Sequence, residues 1–373
     1  MAEQRMPVSS LSGAAASRVL LAAVVAAQLA CAPAAQAKGR GPKAPVPTAP
    51  ITTASAASAQ PGNNDGDGHP QFKGIYEPSA VQPLADGRLL VVEDEAIRAF
   101  SVLRINADHT LSEDAAATQT LRQSIRGELS DLEALTQDAQ GRFYAATSHS
   151  ELKANQGGGR CAQRERIVRF AIANNRMQAM RDGPNLKEAL QQSTAVQRQT
   201  GGQVDFSRMN LEGMAYHPTS KQLLLGLREP QINTGSKVLS LIITVKNPDA
   251  LFDSGAAPEF GEVFALDLKG SGVRSLAYHA PSNTYLITNE TFKTDTDRPS
   301  SQLWLWDGRA QSAPRKAHLP ELATLKNAEA VTVATVGGKP QLVVLGDNGS
   351  TKKQRGASYF LIDASRILPP AAR

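Results

Sequence analysis

An all-β fold, a single β-propeller of about five blades with six as the alternative, is the fold class this 373-residue sequence predicts. Three observations carry it. Five segments repeat one pattern: a short apolar strand, a turn, then a strongly apolar strand. Alternating strands follow these pairs and supply the outer part of a blade. A last apolar run near the C-terminus is placed to close the ring.

The first repeat sets Ser79-Ala80-Val81 against Leu89-Leu90-Val91-Val92 across the turn Ala85 to Arg88. The second sets Leu132-Glu133-Ala134-Leu135 against Phe143-Tyr144-Ala145-Ala146, and the third Leu211-Glu212-Gly213-Met214 against Leu223-Leu224-Leu225. The fourth pairs Val273-Arg274-Ser275-Leu276 with Tyr285-Leu286-Ile287, and the fifth Ala328-Glu329-Ala330-Val331 with Leu342 to Leu345. Ser79, Glu133, Glu212, Arg274 and Glu329 are equivalent, at intervals of 54, 79, 62 and 55 residues. Common blades take ~40–50 residues, so these loops carry insertions. Outer strands are read at Arg166 to Phe170, Val263 to Leu268 and Leu303 to Trp306. Asn185 to Gln199 has helical spacing of Leu186, Ala189, Leu190 and Val196 and is predicted to be a helical surface insertion. Tyr359 to Ile362 is placed to complete the blade begun by Phe72 to Tyr76, which would close the ring without open edges.

Residues 1–37 read as a signal peptide. Arg5 and Arg18 precede a short apolar run, Val19 to Ala30, and Ala35-Gln36-Ala37 offers a small-x-small cleavage site. The apolar run is too short to span a bilayer, and no other stretch reaches transmembrane length. Gln28 stands where a lipoprotein signal needs an aliphatic residue, which argues against a lipid anchor at Cys31. Cleavage after Ala37 would leave Cys161 as the only cysteine, with no internal disulfide. The expected location is the periplasm or outside the cell. Residues 38–71 are rich in Pro, Ala, Ser, Thr and Gly and read as a disordered linker, 72–363 as the propeller domain, and 364–373 as a C-terminal tail. Hydrophobic residues are 41% and charged residues 20%, enough for a real core, and the net charge of +5 with no basic block among aromatics gives no case for nucleic acid.

The recurring acid carries the chemistry. Glu133, Glu212 and Glu329 share one repeat position, preceded by Asp131, Asn210 and Asn327. The innermost strands of a propeller line its channel, so these carboxylates are expected to converge. Like charges in one place raise one another's pKa unless a cation lies among them, and an all-oxygen set suits Ca²⁺ or Mg²⁺. Glu133, Glu212, Glu329 and Asp347 are thus the candidate metal ligands, with no organic cofactor implied. The alternative is that each Glu bonds a neighbouring backbone and is structural. A second equivalent set, Asp94, His149, Arg228, Asn289 and Asp347, ends the second strands and is expected to ring the same mouth. Glu212, His149 and Arg228 are the candidate catalytic residues: Glu212 to accept a water proton, Arg228 to steady developing negative charge. The ligand expected there is a small anionic or ester molecule. Arg160, Arg164, Arg166 and Arg169 follow a Gly157-Gly158-Gly159 loop and read either as an anion-binding loop or as outward-facing strand residues. No nucleophile elbow, HExxH, CxxC, P-loop or GxGxxG motif occurs. Ser148-His149-Ser150 is not a triad, because adjacent strand residues face opposite sides.

Asp131-Leu132-Glu133-Ala134, then Ser148-His149-Ser150 and the basic run to Arg169-Phe170, then Asn210-Leu211-Glu212-Gly213 with Leu225-Gly226-Leu227-Arg228, resemble the bacterial domain of unknown function 3616. The resemblance spans about Ile75 to Asp363. More distantly the chain is similar to the esterase-like phytase propellers, which share an acid-bearing strand in each blade. If the carboxylates hold a cation, one function class is a divalent-metal-assisted hydrolase of phosphate or other esters. The other function class is a non-catalytic propeller that binds a periplasmic ligand or protein. Ser79 and Arg274 depart from the repeat, so a ring of identical acids is excluded.

Overall fold

The computed structural model describes residue 66 and residues 68–368, apart from 96, 293 and 295–298. The signal-like segment, most of the linker and residues 369–373 lie outside the described residues.

The fold is all-β, with five antiparallel sheets. Sheet 1 holds β1 (Pro78–Pro83), β2 (Leu89–Glu93), β3 (Phe100–Ile105) and β4 (Leu111–Glu113). The helix α1 (Ala115–Arg122) leads to sheet 2: β5 (Leu132–Gln137), β6 (Phe143–Thr147), β7 (Ile167–Ala173) and β8 (Arg176–Asp182). Two helices follow, α2 (Leu186–Gln192) and α3 (Thr194–Gln199), and then sheet 3: β9 (Asn210–His217), β10 (Gln222–Asn233), β11 (Val238–Val245) and β12 (Phe260–Leu266), with α4 (Pro248–Asp253) between its last two strands. Sheet 4 holds β13 (Ser275–His279), β14 (Thr284–Glu290), β15 (Ser301–Trp306) and β16 (Arg315–Lys316). After α5 (Glu321–Thr324), sheet 5 has three strands, β17 (Ala328–Val336), β18 (Lys339–Gly346) and β19 (Tyr359–Asp363). No sixth sheet occurs among the described residues.

Each sheet is a meander in chain order, as short turns between consecutive strands require. The first strands touch their neighbours in a cycle, β1 to β5, β9, β13, β17 and back to β1. This is a propeller-like arrangement, and its cause is visible in the second strands. They alternate, but both alternating faces are apolar. Leu90 and Val92 face sheet 2 while Leu89 and Val91 face sheet 5. Leu223 and Leu225 face sheet 2, and Leu224 faces sheet 4. Leu342 and Val344 pack towards sheet 4, Val343 and Leu345 towards sheet 1. A strand buried on both faces reads as an unbroken apolar run, which is how these segments read in the sequence.

Closure involves both predicted segments. Tyr359 to Ile362 form β19, the third strand of sheet 5, and the chain around Phe72 lies along its edge. Phe72 N–H donates to Ala357 O at 2.9 Å, Ala357 N–H to Ile75 O at 2.8 Å, and Tyr359 N–H to Pro70 O at 3.1 Å. His69 and Gln71, placed in the linker, are engaged: His69 bonds Thr324 Oγ1 at 2.8 Å and Gln71 bridges Ser358. Ala364, Ile367 and Leu368, placed in the tail, are buried between sheets 4 and 5. The insertion is two helices rather than one. Ser193 ends α2 and its hydroxyl accepts from Val196 N–H to cap α3, while Leu186, Leu190 and Val196 pack into the interface of sheets 2 and 3.

Two glycines are paired within sheet 3, Gly213 on β9 and Gly226 on β10, and Val273 and Leu276 of the next repeat pack against them. A Cβ on Gly226 would lie 2.7 Å from Val273 Cγ1. Gly226→Ala is therefore expected to cost about 1–3 kcal/mol by overpacking. Chemical denaturation measures this. Val273→Ala in the same chain should recover part of the loss, and an unchanged midpoint in the single variant would contradict the packing.

Candidate functional site

The equivalent residues of the first strands converge. Ser79, Glu133, Glu212, Arg274 and Glu329 all line one cavity of about 330 Å³. In four sheets a β-bulge places the residue there. The register of each pair slips by one at Ser79, Glu133, Glu212 and Glu329, so these residues have no partner on the second strand and turn out of the ladder. Arg274 lies just before β13, its N–H on Thr288 O at 2.8 Å. At this end the sheets are also stitched together. Asp131 N–H donates to Asp94 O at 2.9 Å, Leu211 to Ser148 O at 2.8 Å, Val273 to Leu227 O at 3.0 Å, and Gly349 to Tyr76 O at 3.1 Å. Ala328 N–H completes the series on Ser301 Oγ at 2.9 Å.

Of the second-strand ends, Asp94, Arg228 and Asp347 reach the cavity. His149 and Asn289 do not. His149 has φ +59°, a left-handed conformation that reverses the alternation, and Ser150 lines the cavity in its place. The His149 imidazole is fully buried elsewhere, with Nδ1 2.8 Å from Thr147 O, and burial pushes its pKa down to about 4. It is therefore neutral and absent from the expected rim. Asn289 is structural: its amide donates to Ser271 O at 2.9 Å and accepts from Trp304 Nε1 at 2.9 Å.

Six carboxylates line the cavity, from Asp94, Asp131, Glu133, Glu212, Glu329 and Asp347, against four cations from Lys153, Arg164, Arg228 and Arg274. The predicted metal ligands are divided by Arg274. Its Nη1 is 3.1 Å from Glu212 Oε2, and its Nη2 pairs with Glu329. Glu212 Oε1 also accepts from Asn210 Nδ2 at 2.9 Å and Arg228 Nη1 at 2.8 Å. Glu212 and Glu329, both about 95% buried or more, are thus compensated by protein cations. Three further acids lie together in the same cavity. Asp94, Asp131 and Glu133 each bring one carboxylate oxygen within 4.8 Å of the other two. Asp131 Oδ2 is held by the Ser148 and Ser150 hydroxyls and, at 3.2 Å, by Arg164 Nη1.

Charge crowding shows in the acidities. Burial, then the charges of Glu212, Asp131 and Asp94, push Glu133 well above the carboxylate range. Burial and the Asp131 carboxylate do the same to Asp94. Burial and Asp347 raise Glu77 to about 7, and burial raises Asp347 to about 6 against the pull of Arg274. An all-oxygen set of this kind could hold a metal ion, which would relieve the crowding.

Sequence reasoning did not single out Lys153, Gln156, Ser150 or Asp131 as site residues. The Gly-rich loop holds Lys153 and Gln156 beside the cavity, and Asp131 reaches it through a left-handed φ of +63°. Of the four loop arginines, only Arg164 lines it. Arg160 pairs with Glu165, Arg166 with Asp182, and Arg169 with Asp253. Cys161 is buried and does not line this cavity. A larger cavity, about 760 Å³, opens at the opposite ends of the strands and is lined by no Asp, Glu, Lys or Arg. The chemistry-bearing groups belong to the smaller one.

The raised acids make a stability prediction. Their folded pKa values exceed the unfolded ones, so their contribution is full below about pH 4 and is lost as pH rises through 6–7. In chelator the melting temperature should fall between pH 5 and pH 8. Glu133→Gln should raise it at pH 8 by at least about 2 °C. Calorimetry decides; a flat profile together with a destabilised variant would count against the crowding.

No helix among the described residues is long and apolar enough to cross a membrane. No curated protein of known function matches the sequence. Among solved structures, an α-L-arabinofuranosidase from Clostridium thermocellum is similar over 80% of this chain and 93% of that one, with 10% identity and a TM-score of 0.44. An aldose sugar dehydrogenase from Streptomyces coelicolor covers 78% of this chain and 95% of its own, with 16% identity and a TM-score of 0.38. The sequence profile described as protein of unknown function DUF3616 matches residues 120–363, and the chain belongs to that family.

Proposed function

We propose that this protein is an exported, divalent-cation-dependent hydrolase of phosphate or other anionic esters, working at the mouth of a closed five-bladed propeller. The observation that carries the reading is the Asp94, Asp131 and Glu133 oxygen set facing the half-exposed Arg228 within one polar cavity. These three carboxylates would hold Ca²⁺ or Mg²⁺. Such a cation, when bound, polarises a substrate oxygen and acidifies water.

The protein's own groups take the remaining roles. Arg228 is oriented by Glu212 and keeps 43% of its side chain accessible, so it can donate to an anionic substrate oxygen. Glu212, its lone pairs engaged by Asn210, Arg228 and Arg274, orients Arg228 rather than accepting a proton. Asp347, poised at about 6, is the group suited to take and return a proton near neutrality. His149 stays outside the reaction. The second reading, a non-catalytic ligand- or protein-binding propeller, is favoured by Arg274, whose bridge makes Glu212 and Glu329 serve as structural acids.

A screen of phosphomonoesters, phytate, lactones and aryl esters, with Ca²⁺ and with chelator, tests the proposal. Activity should require the cation. Asp94→Asn or Glu133→Gln should weaken cation binding at least about tenfold, and Arg228→Ala should lower kcat by about 10²-fold. The rate should rise as pH passes about 6, and Asp347→Asn should abolish that limb. Cation binding without turnover would leave the ligand-binding reading.

Export rests on residues outside the described ones. The intact mass of the secreted protein should correspond to a chain starting at Lys38, with Cys161 then its single cysteine. A diacylated Cys31 start would show an anchored lipoprotein, and a Met1 start would overturn export.

A further inference from the structure

Five equivalent residues meet at the mouth, and one has the opposite charge. With Ser79 neutral, three glutamates and Arg274 give the ring a formal charge of −2, where five acids would give −5. The arginine is not at the rim. It is 5% exposed, held by its own N–H on Thr288 O at 2.8 Å, and its guanidinium reaches both flanking acids. Nη1 lies 3.1 Å from Glu212 Oε2 and 3.5 Å from Glu212 Oε1, and Nη2 pairs with Glu329. Glu290 Oε2 stands 3.9 Å from Nε. Three carboxylates from three strands therefore surround one buried positive group. In the same cavity, Asp94, Asp131 and Glu133 form a second group of three carboxylates, with Arg164 pairing only Asp131.

We infer that the Arg274 guanidinium occupies the place of a second cation, tethered to the chain, and confines the mouth to a single exchangeable divalent ion. Glu212, Glu290 and Glu329 surround one position, and the guanidinium of the fourth repeat fills it. A guanidinium is always charged and spreads that charge over a planar fork, so it bridges two carboxylates as a metal would but leaves no coordination position for water or substrate. Two-cation hydrolysis needs exchangeable ions about 3.5–4 Å apart, each binding a reacting oxygen. This mouth instead presents one ion site and the half-exposed Arg228 to the substrate. Arg274 is a positioning residue: it fixes Glu212, which in turn orients Arg228. The inference deepens the hydrolase reading and rests on it only for the ion bound by the triad.

The test counts Ca²⁺ bound per chain by equilibrium dialysis in the wild type, Arg274→Met and Arg274→Lys, with melting temperatures in chelator and in excess Ca²⁺. Arg274→Met should bind one more Ca²⁺ than the wild type. It should melt lower in chelator and recover in Ca²⁺. Arg274→Lys, which keeps a cation in place, should gain none. One ion in the wild type and two in Arg274→Met support both statements. None and one would support the tethered cation and sink the triad as a metal site. Equal numbers would overturn the tethered cation and leave the triad standing. Should Arg274→Met fail to fold in chelator, Ca²⁺ should rescue it; failure to rescue, or wild-type melting in chelator, would also overturn the inference.

Discussion

Burial of both faces of every second strand is the constraint on which the rest of the structure depends. A sheet with one apolar face can rest on a single partner and leave the other side in water. Here Leu89 and Val91 need one neighbour while Leu90 and Val92 need another, and the same holds for Leu223 to Leu225 and Leu342 to Leu345. In an open stack the two end sheets would each keep an apolar face in water. The packing of sheet 5 on sheet 1 through Phe72, Ile75, Val343 and Tyr359 removes both exposed faces at once. Each apolar face buried contributes at roughly 25 cal/mol per Å², so closure follows from area alone and needs no disulfide.

Closure has a chemical consequence. Equivalent residues in a ring occupy equivalent radial positions, so a polar residue placed once per repeat arrives at one point. The bulges at Ser79, Glu133, Glu212 and Glu329 turn those side chains out of the ladder without breaking the strand pair. Concentrating acids in this way is unfavourable in a buried cavity, and the sequence relieves it unevenly. Glu212 and Glu329 share Arg274, and Asp131 has Arg164, whereas burial and neighbouring carboxylates outweigh the pull of Arg164 on Asp94 and of Arg274 on Glu133 and push both above the carboxylate range.

What could be read in the sequence follows from the same physics. The repeats, the inner strands and the convergence of residues 79, 133, 212, 274 and 329 are periodic properties, and periodicity survives without coordinates. What could not be read depends on single dihedral angles or on chain that leaves the repeat. His149 is flipped by one left-handed residue, and nothing in Ser148-His149-Ser150 announces it. Arg164 reaches the cavity from a loop whose other arginines face acids elsewhere, a choice made by local pairing with Glu165, Asp182 and Asp253. The split of the insertion into α2 and α3 turns on Ser193 serving as both stop and cap. Residues 364–368 lack a repeat signature, so their burial between sheets 4 and 5 was equally hidden.

The two positions where the repeat lacks its acid are therefore the informative ones. A ring of five acids would be symmetric, and no cation in it would have a preferred side. Ser79 removes a charge and Arg274 reverses one, and together they give the mouth a direction. One side is neutralised by the chain and rigidly paired. The other holds three oxygens that a cation could bridge, with Arg228 between the two, anchored to the neutral side through Glu212 and open to the cavity. On the proposed reading, a substrate entering such a mouth would meet a positive fork on one hand and an acid set that favours a cation on the other. Its orientation would then be set before any bond is broken, the part of catalysis that positioning supplies.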